Sequence, residues 1–337
     1  MNYCSSSSMV DEAIYKRQNR EPVDKGSGRQ SPNFRLKAWY SNLGKCRLSD
    51  LSEIKVDVRP IYRILSTRNG DPGWPFVIVM KVIVYGVTKE FVSEQGTVRA
   101  LGGINLEVRD QEFFGIIGPT GCGKTTLLHI IGGLEKQSTG SVEFVGEKHG
   151  KSMVSMVFQE SALMPWRNVE DNVPLGAEFR REQPAVYKRI SRFFLEVVKL
   201  LDFAGAHPHE LSGGMKQKVA IARALANDPE VILMDEPFAN LDAQTRLLMR
   251  EELLRIWERD KKTVILVTHN LDEAVMLCDR IAVMSSRPGL IKSIVTVDVP
   301  RPRTMKSMKD PDFANCVDKI WNLLKYDVED ALARGQP

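Results

Sequence analysis

The sequence predicts an α/β fold, on three observations. Residues 118–125 read Gly118-Pro119-Thr120-Gly121-Cys122-Gly123-Lys124-Thr125, which fits the pattern G-x-x-x-x-G-K-[ST] at every fixed position. Short apolar runs recur along the chain, and three of them end in residues that can do chemistry: Gln159 after 154–158, Asp235 and Glu236 after 231–234, and His269 after 263–268. Between these runs, residues 184–203 carry Val186, Ile190, Phe194, Leu195, Val198 and Leu201 at the face spacing of an amphipathic helix.

Composition sets the bounds. At 337 residues the chain can bury a substantial core, and its length fits about two domains. The net charge is +4, but residues 1–79 hold 13 Lys+Arg against 8 Asp+Glu, leaving 34 against 35 in the remainder. That near-neutral remainder lacks the broad basic face of a nucleic-acid binder, so no nucleic-acid partner is expected. Five cysteines, with no C-x-x-C pair, argue against a zinc site or a disulfide framework and for a reducing compartment. No apolar run approaches membrane-spanning length, and the N-terminus has no signal-peptide pattern; the expectation is a chain that is soluble or held at a membrane by a partner.

Taken in order, residues 1–79 mix a Ser run, scattered charges and turn formers without a motif, and read as a disordered or loosely packed extension. A further reading is that part of this stretch is not native product, since a start at Met80 leaves 258 residues. Two β-rich runs follow, 82–87 and 97–108, with Phe91 in the 89–96 loop between them; an exposed aromatic there can stack on a base, or be an ordinary packed residue.

The apolar run 113–117 then reads as a buried strand and 126–131 as a helix, so the glycine-rich segment joins strand to helix. Its glycines free successive N–H groups to point at phosphate oxygens, next to a positively polarised helix N-terminus. Lys124 reaches the β- and γ-phosphates in that geometry, and the Thr125 hydroxyl ligates magnesium. Residues 142–145 and 154–158 read as further strands. Gln159 alone would be a surface glutamine, but at a strand's carboxyl end it can reach a metal or an attacking water.

Residues 160–226 read as a helical insert, in which Ser212-Gly213-Gly214 opens a helix with a hydroxyl and uncrowded N–H groups, a second place built to receive phosphate. Asp235 and Glu236 end the next buried strand, with the first suited to magnesium and the second to polarising a water. Asn240, Leu241 and Asp242 follow. The last core strand, 263–268, ends in His269, whose position and company favour chemistry over a merely structural role.

Together these segments resemble an ATP-binding cassette, or ABC, ATPase. In that family's terms Gly118–Thr125 is the Walker A loop, Gln159 the Q-loop, residues 211–217 the signature, 231–236 Walker B, 239–242 the D-loop and His269 the H-loop. The resemblance spans residues 80–290. Finer wording is similar to the nitrate/sulfonate/taurine importer subfamily: Phe158-Gln159-Glu160 with Leu163-Met164-Pro165-Trp166, Met234-Asp235-Glu236-Pro237-Phe238, and Pro300-Arg301-Pro302-Arg303. Departures are Phe91 where Tyr is common, Gln111 where Gly often stands, and Lys218 where Arg often follows the signature.

The resemblance implies a RecA-like core with an antiparallel β subdomain and a helical subdomain, in a cassette over residues 80–300 followed by a tail with a helix over 301–337. It implies ATP and Mg2+ as cofactors, with Thr125, Gln159 and Asp235 toward the metal. Phe91 stacks on adenine, and Gly118, Pro119, Thr120, Gly121, Cys122, Gly123, Lys124, Thr125 and Thr126 hold the phosphates. Lys124, Gln159, Glu236 and His269 form the catalytic set. Ser212, Gly213, Gly214, Gln217 and Asp242 serve a partner's site in a head-to-tail homodimer, because one chain has one P-loop and one signature. The implied role is the ATPase subunit of an importer at the cytoplasmic face of the membrane. Permease subunits dock on the helical insert near Trp166, and a solute-binding protein acts through them. The rivals are a soluble ABC ATPase acting on nucleic acid or ribosomes, which would show paired cassettes or a long coiled coil, and a P-loop kinase, which would leave the signature unexplained.

Overall fold

A computed structural model of the chain describes residues 80–333 apart from 95, 147–151 and 260. The expectations placed on residues 1–79 lie outside the described residues. Strand β1 (Lys81–Ser93) is flanked by β2 (Gly96–Val108) and β4 (Thr139–Val145) in a three-stranded antiparallel sheet. Its burial alternates at first: Val82 and Val84 face the core, while Tyr85 is exposed.

The second sheet has the order β5-β6-β7-β3-β8-β9, built from β3 (Phe113–Ile117), β5 (Val154–Val157), β6 (Val231–Asp235), β7 (Thr263–Val267), β8 (Arg280–Met284) and β9 (Ile291–Thr296). It is parallel apart from β9, which runs antiparallel along the edge beside β8. Strands β3, β6 and β7 are buried at every position, so their sequences are continuous apolar runs without alternation. Their carboxyl ends lie side by side, and that is where an open α/β sheet receives ligands.

Helix α1 (Lys124–Ile131) packs beneath β6 and β7 through Leu127, Leu128 and Ile131. The segment 160–226 forms α2 (Val169–Asn172), α3 (Leu175–Phe179), α4 (Pro184–Val197) and α5 (Gly213–Ala226), with an apolar cluster of its own that includes Val169, Leu195, Leu211 and Val219. Helices α6 (Ala243–Arg259), α7 (Leu271–Leu277) and α8 (Pro311–Ala333) complete the other face of the large sheet.

Four features differ from the sequence reading. Phe91 belongs to β1 and pairs with Val98, because β1 and β2 stay paired out to Ser93 and Gly96. Helix α4 stops at Val197, short of residue 203. Leu200 N–H bonds Leu195 O at 2.7 Å and Lys199 N–H bonds Glu196 O at 3.0 Å, with Lys199 at φ 58°. That is a Schellman stop made with lysine where glycine is usual, sealed by buried Leu195 and Leu200. Two strands, β8 and β9, follow β7. Finally, the expected tail helix, α8, packs inward: Phe313, Cys316, Ile320 and Leu324 enter the same core as Phe113 and Trp257.

Besides a shared apolar core, a short backbone bridge links the two sheets. Gly289, in the β8–β9 turn, donates its N–H to Ala100 O and accepts from Gly102 N–H, both at 2.9 Å. A Cβ at 289 would lie 2.3 Å from the Cys122 carbonyl oxygen.

Candidate functional site

The strand ends surround an open cleft of about 560 Å³. Its lining joins the β1–β2 hairpin (Phe91, Val98, Ala100), the P-loop and α1 start (Thr120, Gly121, Gly123, Lys124, Thr125, Thr126), Gln159, Glu236, His269 and Arg287. The Phe91 ring is part exposed, with the Lys89 ammonium 4.7 Å from its centroid.

The P-loop conformation requires glycine at 123, where φ is 105° and a Cβ would lie 2.8 Å from the Leu101 side chain and 3.1 Å from Ala100 O. Buried Lys124 donates from Nζ to the carbonyls of Gly118 and Pro119, both at 2.9 Å. The ammonium therefore turns those carbonyls toward itself and leaves the loop's amides for an anion. Cys122 is buried beside it, and burial pushes the thiol up against the opposing charge of Lys124.

Thr125 Oγ1 donates to Asp235 Oδ1 at 3.1 Å. Asp235 is 5% exposed; burial pushes its carboxyl above the usual range, and the Thr125 bond opposes that. A buried carboxylate beside a hydroxyl, with the Gln159 amide on the same cleft, is a hard-oxygen donor set that fits magnesium. Among the described residues no group of three His, Cys, Asp or Glu forms a protein-only metal cage. Magnesium held by one carboxylate, phosphates and water needs none.

Glu236 follows β6 at φ 42°, and its N–H still pairs with Val267 O at 2.9 Å. The left-handed turn costs about 1–2 kcal/mol for a residue with a Cβ. It carries the carboxylate to 3.0 Å from His269 Nδ1. Beneath this pair the Arg250–Glu273 ion pair, at 3.0 Å, is buried, and burial pushes Glu273 up while Arg250 opposes. Arg246 donates from the same region to Leu241 O at 2.9 Å, tying the α6 start to the segment 239–242.

Several expected site residues lie outside this cleft. Ser212 is exposed and caps α5, its Oγ accepting Met215 N–H at 3.3 Å. Gly213 approaches Asn240 O, and Gly214 approaches Thr245. Gln217 is buried and donates to Phe158 O at 3.4 Å. Asp242 accepts from the N–H groups of Gln244 and Thr245 at 3.1 and 2.9 Å, and the hydrogen bonds from Thr245 hold its carboxyl below the usual range. Asn240 donates to Gln159 O at 3.2 Å, which links this second cluster to the cleft. Sequence reasoning passed over Val98, Ala100 and Arg287; the apolar run 281–284 followed by Ser-Ser-Arg-Pro-Gly is the signal that could have placed Arg287 at a strand end.

The sequence model of the ABC transporter family matches residues 101–239. An uncharacterized ABC transporter ATP-binding protein of Methanocaldococcus jannaschii is 49% identical over 251 residues, 74% of this chain and 93% of that protein. The aliphatic sulfonates import ATP-binding protein of Bacillus cereus is 43% identical over 230 residues, 68% of this chain and 90% of its own length. The nitrate import ATP-binding protein of Synechocystis is 39% identical over 254 residues, 73% and 96% of the two chains. Among solved structures, a dimeric ATP-binding cassette in a post-hydrolysis state bound to ADP and Pi superposes with a TM-score of 0.58 at 32% identity, over 64% of this chain and 98% of that one. Identity at this level across most of each relative, on the same fold, means that the chain belongs to the ABC transporter family and is an ATP-hydrolysing, ATP-binding subunit.

Proposed function

We propose that ATP hydrolysis by this chain energises uptake of a small anion, such as nitrate, a sulfonate or taurine, through separate permease subunits. The names of the Bacillus and Synechocystis relatives support the importer reading. In this scheme the P-loop amides and Lys124 hold the phosphates and Phe91 stacks on adenine. Thr125, Asp235 and Gln159 would hold magnesium, which neutralises phosphate charge when bound. Glu236 takes the proton from the attacking water, and His269 fixes the Glu236 carboxylate while contacting the γ-phosphate. Positioning and electrostatics then do most of the work.

Ser212, Gly213, Gly214 and Asp242 lie outside the cleft of their own chain, which supports a homodimer in which each signature closes the partner's site. Trp166 and Phe179 are 72% and 78% exposed on the helical segment, and apolar surface of that kind suits a permease helix. Among the described residues no helix is long and apolar enough to cross a membrane. The permease then holds the subunit peripherally at the cytoplasmic face, with a solute-binding protein delivering the anion on the far side.

The single observation that carries the chemistry is the 3.0 Å Glu236–His269 contact at the cleft. Glu236→Gln should retain ATP binding and lose turnover by about 10²- to 10⁴-fold, the usual contribution of a positioned acid–base group. Steady-state phosphate release with a parallel nucleotide-binding titration checks this, and near-normal release removes Glu236 from the role.

A further inference from the structure

Arg287 stands in the β8–β9 turn, outside every motif that carries the family resemblance, yet it lines the nucleotide cleft beside Thr120, Gly121 and Lys124. Its Nε and Nη2 groups both donate to Gly121 O, at 3.2 and 2.9 Å. A guanidinium has five N–H donors and no acceptor, so this contact leaves donors on the same planar fork for oxygens of a bound ligand. It also fixes the Gly121–Cys122 peptide in the middle of the P-loop, much as Lys124 fixes the carbonyls of Gly118 and Pro119.

The turn that carries Arg287 is anchored from the far end of the chain. Asp327, on α8, accepts Ser286 N–H at 3.1 Å through Oδ1 and pairs with Lys292 through Oδ2. Lys292 in turn donates to Leu323 O at 2.7 Å, so β9 and α8 are joined at two points one helical turn apart. Within the turn, Ser285 N–H bonds Leu290 O and Gly289 bridges to β2. One carboxylate on α8 thus sits one residue away from the guanidinium in the cleft.

We propose that Arg287 is a further nucleotide-binding residue, contacting phosphate oxygens, and that α8 sets its reach through Asp327. The C-terminal helix is then an input to nucleotide affinity: whatever moves α8 off the β8–β9 turn weakens the grip on ATP. The inference rests on the cleft being the ATP site, and the test separates the two.

Full-length chain is titrated with a trinitrophenyl-ATP probe, then competed with ATP and with ADP, at low and high salt. Failure of the unaltered chain to bind the probe overturns the site reading itself. Given binding, Arg287→Ala should weaken ATP and ADP about 5- to 10-fold, the scale of one exposed charge-assisted contact, with the loss shrinking at high salt. Arg287→Lys should fall between, since it keeps the charge and loses the fork. Asp327→Ala should weaken ATP by a similar or smaller factor, and the double variant should be no weaker than Arg287→Ala alone. Melting curves for each variant separate lost affinity from lost folding, and Asp327→Asn serves if the alanine variant does not fold. Affinity within twofold for Arg287→Ala overturns the contact. Multiplying effects in the double variant, or unchanged ATP affinity in a folded Asp327 variant, overturn the control by α8.

Discussion

Cys122 lies beside Lys124 in a loop shaped to receive an anion, a setting that can lower a thiol's pKa and make it reactive. Packing decides otherwise. The side chain is 1% exposed, and burial pushes the thiol above the ordinary range even though Lys124 pulls the other way. Alkylation by iodoacetamide should therefore be slower at neutral pH than that of an ordinary exposed thiol and should speed up as the pH is raised; fast labelling at pH 7 that ATP blocks would contradict this. The same residue marks what the sequence could tell at this scale. The identities of Lys124, Asp235, Glu236 and His269 were legible because each ends a strand or fills a fixed place in a motif. The turn of Glu236 toward His269 was not, because a φ of 42° leaves no mark in residue type when the residue is neither glycine nor asparagine.

At the level of elements, strands β3, β6 and β7 were readable because burial on both faces leaves an unbroken apolar run. The edges were harder. Phe91 looked like a loop residue because Lys89, Glu90 and Ser93 surround it, and those side chains are polar since this end of the hairpin projects from the core. The stop of α4 was missed for lack of a glycine at Lys199. The segment Pro300-Arg301-Pro302-Arg303, read only as a mark of resemblance, has a structural role. Buried Arg303 donates to the carbonyls of Val299, Val275, Cys278 and Val297, at 2.9, 2.9, 2.6 and 3.3 Å. Arg301 lies 4.4 Å over the Trp257 ring and bonds Asp279. Together they close the C-terminal end of α7, whose other end follows His269. Burial lowers the Arg303 guanidinium to about 10, so it stays charged at physiological pH. Arg303→Ala should cost about 2–3 kcal/mol in urea unfolding, the scale of a charged hydrogen-bonding group removed from buried acceptors. A loss below about 0.5 kcal/mol, the range of ordinary surface changes, would mean the carbonyls find other partners.

For the whole molecule, the separation of the signature from the chain's own cleft makes a prediction about pairs. A Ser212→Arg chain keeps its P-loop and a Lys124→Ala chain keeps its signature, so a mixed dimer has one site with both defects and one intact site. Each variant alone should be inactive, and mixing them should restore a sizeable fraction of hydrolysis; demonstrated mixing without recovery would argue against a shared site. Gly289 bears on the molecule in another way. It joins the two sheets through backbone alone and lies against Cys122 O, with room for a hydrogen and no more. Every missense change at its codon adds at least a carbon atom there. Any side chain at this position must therefore push the β8–β9 turn away from the phosphate loop, widening the cleft they share.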